Sequence, residues 1–73
     1  MEIREATAQR IKDLCSEKGM TMYRLCALSG VPHTTLISIM NGSSKNPGIA
    51  TIKKLCDAFG ISLAEFFDSG LFK

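Results

Sequence analysis

Four glycines, Gly19, Gly30, Gly42 and Gly60, divide the chain into short segments of helical periodicity, and this punctuation constrains the fold more than any other feature. A helix that stops after a few turns, with few residues before the next begins, cannot run alongside its neighbour for long. The chain is therefore expected to be all-α, a compact bundle of five short helices crossing at steep angles. The first covers about residues 2 to 18, with Ile3, Ala6, Ile11 and Leu14 on one side, Cys15 at the edge, and Lys18 near the negative end of the helix dipole. Thr21 is placed to cap a second helix that turns Leu25, Cys26 and Leu28 inward and stops at Ser29-Gly30. Val31-Pro32 opens the third, with proline in its first turn and Leu36, Ile39 and Met40 at helical spacing before Asn41-Gly42. Residues 43 to 48 cluster turn-forming types, and a fourth helix over Ile49 to Phe59 buries Ile52, Leu55, Cys56 and Phe59. Ser62-Leu63-Ala64-Glu65 reads as a capping box for a fifth, docked by Phe66 and Phe67. Leu71 and Phe72 either cap this core or bury against a second subunit. No stretch alternates long enough for a strand.

At 73 residues the chain is expected to hold one domain, 1–73, with one core. A domain this small buries only about 60% of its unfolded surface, so tight packing or self-association has to contribute. A hydrophobic content of 45% excludes a disordered or collagen-like chain. No apolar run approaches the roughly 20 residues of a membrane span, and Met1-Glu2-Ile3-Arg4-Glu5 does not read as a signal peptide. Cys15, Cys26 and Cys56 form an odd set without C-x-x-C spacing, which points to a reducing compartment, the cytoplasm. With the single histidine, His33, they also lack the paired spacing of a zinc site, and all three are placed on core faces. No metal, cofactor, membrane or small-molecule ligand is expected. Nor is catalysis: His33 has no fixed carboxylate partner and no Gly-rich loop follows a strand.

Charge is unevenly distributed. Residues 1 to 17 carry four acids (Glu2, Glu5, Asp13, Glu17) against three bases (Arg4, Arg10, Lys12), and residues 57 to 73 carry three acids (Asp57, Glu65, Asp68) against Lys73. Between them, residues 18 to 56 hold Lys18, Arg24, Lys45, Lys53 and Lys54 and no acid. Such a stretch is either a solvated basic surface or one that meets an anion.

Function is most legible in residues 22 to 41, where two short helices meet at Ser29-Gly30-Val31. A small residue in the first (Cys26), a glycine in the turn (Gly30) and apolar residues in the second (Leu36, Ile39) give helix-turn-helix spacing. The outer side of the second helix carries His33, Thr34, Ile37 and Ser38, short or flat side chains that suit a base edge in a major groove. Ile37 suits a thymine methyl or an association patch.

The ordered set Thr21-Met22-Tyr23-Arg24-Leu25-Cys26, Gly30-Val31-Pro32-His33-Thr34-Thr35-Leu36, Asn41-Gly42, Asn46-Pro47 and Phe59-Gly60-Ile61-Ser62-Leu63 resembles the Cro/C1-type (XRE) helix-turn-helix family of phage repressors and bacterial regulators. The resemblance covers nearly the whole chain. It implies a lambda-repressor-like domain that binds double-stranded operator DNA, usually as a symmetric homodimer, with the third helix in the major groove. Carried over by position, base contacts fall on His33, Thr34 and Ser38. Backbone contacts fall on Thr21, Met22, Pro32, Ser43, Ser44, Lys45 and Asn46. The chain departs from the pattern at Met22, where relatives commonly place a glutamine, and at Met40, where they commonly place a glutamate. Its third helix also has no arginine, the strongest guanine reader. A rival reading on the same scaffold is a helical protein-interaction or antitoxin-like module.

Overall fold

A computed structural model describes residues 2–42 and 47–73. It contains α1 (Ile3–Glu17), α2 (Met22–Ser29), α3 (His33–Asn41), α4 (Ile49–Phe59), α5 (Leu63–Phe67) and a terminal 3-10 turn (Gly70–Phe72). Among the described residues there is no strand, and no helix is long and apolar enough to cross a membrane. The all-α, five-helix expectation therefore holds, with the 3-10 turn added. Ser43, Ser44, Lys45 and Asn46, four of the expected backbone contacts, lie outside the described residues.

Local signals set the boundaries. Thr21 Oγ1 accepts from the Arg24 N–H at 3.0 Å, capping α2. Ser62 Oγ accepts from the Glu65 N–H at 3.0 Å while Glu65 Oε1 accepts from the Ser62 N–H at 3.1 Å, the reciprocal capping box at the head of α5. Proline is the exception. Pro32 precedes α3 as its N-cap, with extended ψ of 142°, and its carbonyl receives the Leu36 N–H at 3.1 Å, so the first turn begins one residue later than expected, at His33.

Every helix contributes to one core, in which Ile11, Leu25, Leu36, Leu55, Cys56 and Phe66 are fully buried. α2 packs on α3 and α4, α1 on α3 and the 3-10 turn, and α4 on α5. Two residues expected to face inward do not. Leu28 is 50% exposed, because the inner arc of α2 runs through Met22, Leu25, Cys26 and Ser29 and leaves Leu28 about a third of a turn away. Ile3 is 52% exposed, one turn ahead of Ala6, the first buried residue of α1. Thr7 is buried there too, its hydroxyl donating to the Ile3 carbonyl at 2.8 Å. Burial pushes the Cys15 and Cys56 thiols up, away from the reactive thiolate.

The C-terminal end is held by one guanidinium and three rings. Arg10 of α1 donates through Nε to the Phe66 carbonyl at 2.7 Å and through Nη2 to the Glu65 carbonyl at 2.8 Å, satisfying the open end of a five-residue helix. Phe67 stands edge-on to both Phe66 and Phe72, with centroids 5.0 Å away in each case. Phe72 therefore packs on its own core. Phe66→Ala is expected to cost about 3–5 kcal/mol, because a fully buried ring leaves a cavity, and half-buried Phe72→Ala distinctly less. Urea denaturation followed by circular dichroism measures both, and equal losses would contradict this account of the end of the bundle.

Candidate nucleic-acid interface

α2 and α3 are anchored from behind. Leu25, Val31, Leu36 and Ile39 are buried on successive parts of the unit, so the opposite face of α3 is left to solvent. The turn is tight. The Gly30 N–H donates to the Cys26 carbonyl at 3.0 Å, and the Val31 N–H donates to Ser29 Oγ at 3.1 Å. Gly30 carries a φ of +75°, a conformation that L side chains rarely adopt, and it sets the change of direction between the helices.

The exposed face carries Pro32, His33, Thr34 and Ile37, with Thr35 and Ser38 half-buried at its margin. α3 has no side-chain cap and its Thr35 amide is taken by the Pro32 carbonyl at 3.0 Å, which leaves the amides of the exposed His33 and Thr34 at the positive end of the helix dipole, where an anion is stabilised. After Thr21 and Met22, the first turn of α2 carries Tyr23, 80% exposed, and the exposed Arg24. Nothing in the sequence marks Tyr23 as exposed. Its exposure places a phenol on the outer side of α2.

The electrostatics are less one-sided than the sequence blocks suggest. Lys53 pairs with Asp57 one turn along α4, and that carboxylate holds the ammonium's pKa above its usual value. Exposed pairs of this kind contribute little to stability, but the partner offsets the positive charge presented to an anion. Lys18, Arg24 and Lys54 have no acidic partner among the described residues.

His33 is not isolated. Its Nδ1 lies 3.5 Å from Cys26 Sγ, across the turn. No group of three or more metal-ligating side chains gathers among the described residues.

A family profile described as helix-turn-helix matches residues 11–66, spanning α1 to α5 and centred on this unit. The chain belongs to the Cro/C1-type helix-turn-helix family. Similar proteins include the HTH-type transcriptional regulators PuuR of Escherichia coli (strain K12) and of Shigella flexneri. Each is 34% identical over 62 residues, covering 85% of this chain and 33% of the relative. The chain thus spans about a third of the length of the curated relatives it matches. The crystal structure of the prophage Lp1 protein 11 is similar throughout, with a TM-score of 0.89, 30% identity, and coverage of 99% of this chain and 95% of that one. The fold is lambda-repressor-like.

Against the Cro/C1-type pattern the two methionine departures gain a physical reason. Met22 and Met40 are both half-buried and pack against the core, where glutamine or glutamate would each need a polar partner. Met22 still offers its main-chain N–H, free at the first position of α2. Gly30→Ala is expected to destabilise the domain by about 1 kcal/mol through backbone strain alone, since an added Cβ meets nothing within 4 Å, and Gly30→Asn by less. Chemical denaturation of the two variants tests this, and a larger loss for Asn than for Ala would show that steric contact, not φ, governs the turn.

Proposed function

We propose that the protein is a cytoplasmic, DNA-binding transcriptional regulator that acts as a homodimer and docks α3 in the major groove of operator DNA. The observation that carries this reading is the exposed face of α3, with His33, Thr34 and Ile37 displayed and Ser38 at its margin, on a helix anchored from behind by Leu36 and Ile39, in a chain of the Cro/C1-type family. In this reading His33, Thr34 and Ser38 meet base edges, and Ile37 meets a thymine methyl. Thr21, Met22 and Pro32, with Ser43, Ser44, Lys45 and Asn46, lie along the phosphates. The relatives' description as transcriptional regulators supports the same role. In a two-fold dimer the two α3 helices reach one face of the duplex when the half-sites lie about 10 base pairs, roughly 34 Å, apart.

Gel-shift titration against random and genomic duplexes at two salt concentrations tests the reading. If the dimer covers about six phosphates, log affinity is expected to fall with log salt at a slope near −5, and footprinting is expected to show two protected half-sites at that spacing. A flat salt response would remove the DNA reading in favour of the protein-interaction module. A single unrepeated half-site would remove the dimer.

The two kinds of contact separate by mutation. Lys45→Ala is expected to weaken binding to all duplexes alike and to make the slope shallower by about 1, because it removes charge and no sequence information. Thr34→Ala and Ser38→Ala are expected to cost about 1–3 kcal/mol on the preferred site and much less on random DNA. If these two lose affinity equally for every sequence, or lose none, they do not read bases. Circular dichroism first establishes that each variant remains helical.

A further inference from the structure

Cys26 and His33 face each other from the two sides of the helix-turn-helix turn, with Sγ 3.5 Å from Nδ1. The sulfur is not free to wander. Cys26 is half-buried against the core, and its carbonyl is held by the Gly30 N–H. The second ring nitrogen, Nε2, lies on the far side of the imidazole, meets no partner among the described residues, and belongs to an exposed residue at the head of α3.

Three proton arrangements are open to such a pair. The thiol donates to an unprotonated Nδ1, or a thiolate accepts from an imidazolium, or a neutral ring donates from Nδ1 to a thiol sulfur. Nε2 carries a hydrogen in the first two and lacks one only in the third. That third arrangement is the weakest, because a thiol sulfur is a poor acceptor while an unprotonated imidazole nitrogen is a good one. We infer that Cys26 is a positioning residue that fixes His33 with its hydrogen on Nε2, so that α3 opens with a committed hydrogen-bond donor aimed at an acceptor atom of DNA. The acceptor is a purine N7 in the major groove or a phosphodiester oxygen.

This rests on the DNA-binding reading and makes it more specific. The hydroxyls of Thr34 and Ser38 rotate to donate or accept as needed, so alone they do not distinguish a donor from an acceptor on a base edge. A locked imidazole does. It is satisfied by an acceptor and rejects the exocyclic amino groups of adenine and cytosine, which are themselves donors.

His33 is the single histidine, so its ring nitrogens give one set of signals in 15N NMR of the free protein. At a pH where the ring is neutral, the wild type is expected to show one tautomer, with the hydrogen on Nε2. Cys26→Ala is expected to show a mixture of both, and Cys26→Ser, whose hydroxyl donates or accepts equally well, is expected to lie between the wild type and that mixture. Cys26→Val, which fills the space without a donor, replaces Cys26→Ala if circular dichroism shows that variant unfolded. A mixture in the wild type, or the same tautomer in the wild type and the donor-free variant, overturns the inference.

The second arm uses the duplex selected by gel shift, substituted position by position with 7-deazapurines or methylphosphonates. One position in one series is expected to cost the wild type about 2- to 10-fold in affinity and the donor-free variant less, which assigns the acceptor to a base or to the backbone. No such position in either series overturns the DNA role of the donor. Absence of binding to every duplex overturns the regulator reading itself, and the tautomer measurement, made without DNA, still decides the part played by Cys26.

Discussion

Burial of Leu25, Val31 and Leu36 around the left-handed Gly30 is the constraint on which the rest of this structure depends. A helix as short as α3 does not persist in water by itself, since nucleation is costly and few bonds follow it. It exists because Leu36 and Ile39 are taken up by the core, and the orientation that buries them leaves His33, Thr34 and Ile37 outside. The exposed face is thus a consequence of the packing. Any change that loosens Leu36 acts on the interface as well as on stability.

What could be read from the chain followed the range of the interaction. Thr21 over Arg24, Ser62 with Glu65 and the bounds of α4 all arise within four residues, where side chain and backbone alone decide the outcome. Leu28 was misplaced because α2 has only two turns, too few for its apolar residues to fix an axis, so that packing against α3 and α4 chose the inner arc. Arg10 on the carbonyls of Glu65 and Phe66 joins residues more than fifty positions apart, and no spacing rule reaches that far. The Lys53 and Asp57 pair was within reach at i, i+4, but a division of the charges at residue 57 hid it.

The candidate site shows the same division. The helix-turn-helix could be read because Cys26, Gly30, Leu36 and Ile39 are set by close packing, which the sequence records as residue size and periodicity. Its surface chemistry could be read only in part. That Tyr23 is exposed while Met22 packs inward depends on one residue of helical rotation, and that Cys26 meets His33 depends on the angle of the turn between them.

The absence of arginine from α3 decides how affinity and specificity have to be divided in the proposed complex. Affinity falls to the open amides of the helix ends and to cations outside α3, which bind any phosphate backbone. Beside the apolar contact of Ile37, discrimination falls to one imidazole and two hydroxyls, each taken at about 1 kcal/mol, the low end of the range for a base contact. Three such contacts distinguish sites by roughly 100-fold, short of the 10³ or more that separates specific from non-specific binding in typical regulators. A second copy on a symmetric half-site doubles the free energy and raises the ratio to about 10⁴. With these side chains two-fold symmetry is what makes sequence-specific binding attainable, and an α3 of this composition acting alone would remain a weakly selective binder.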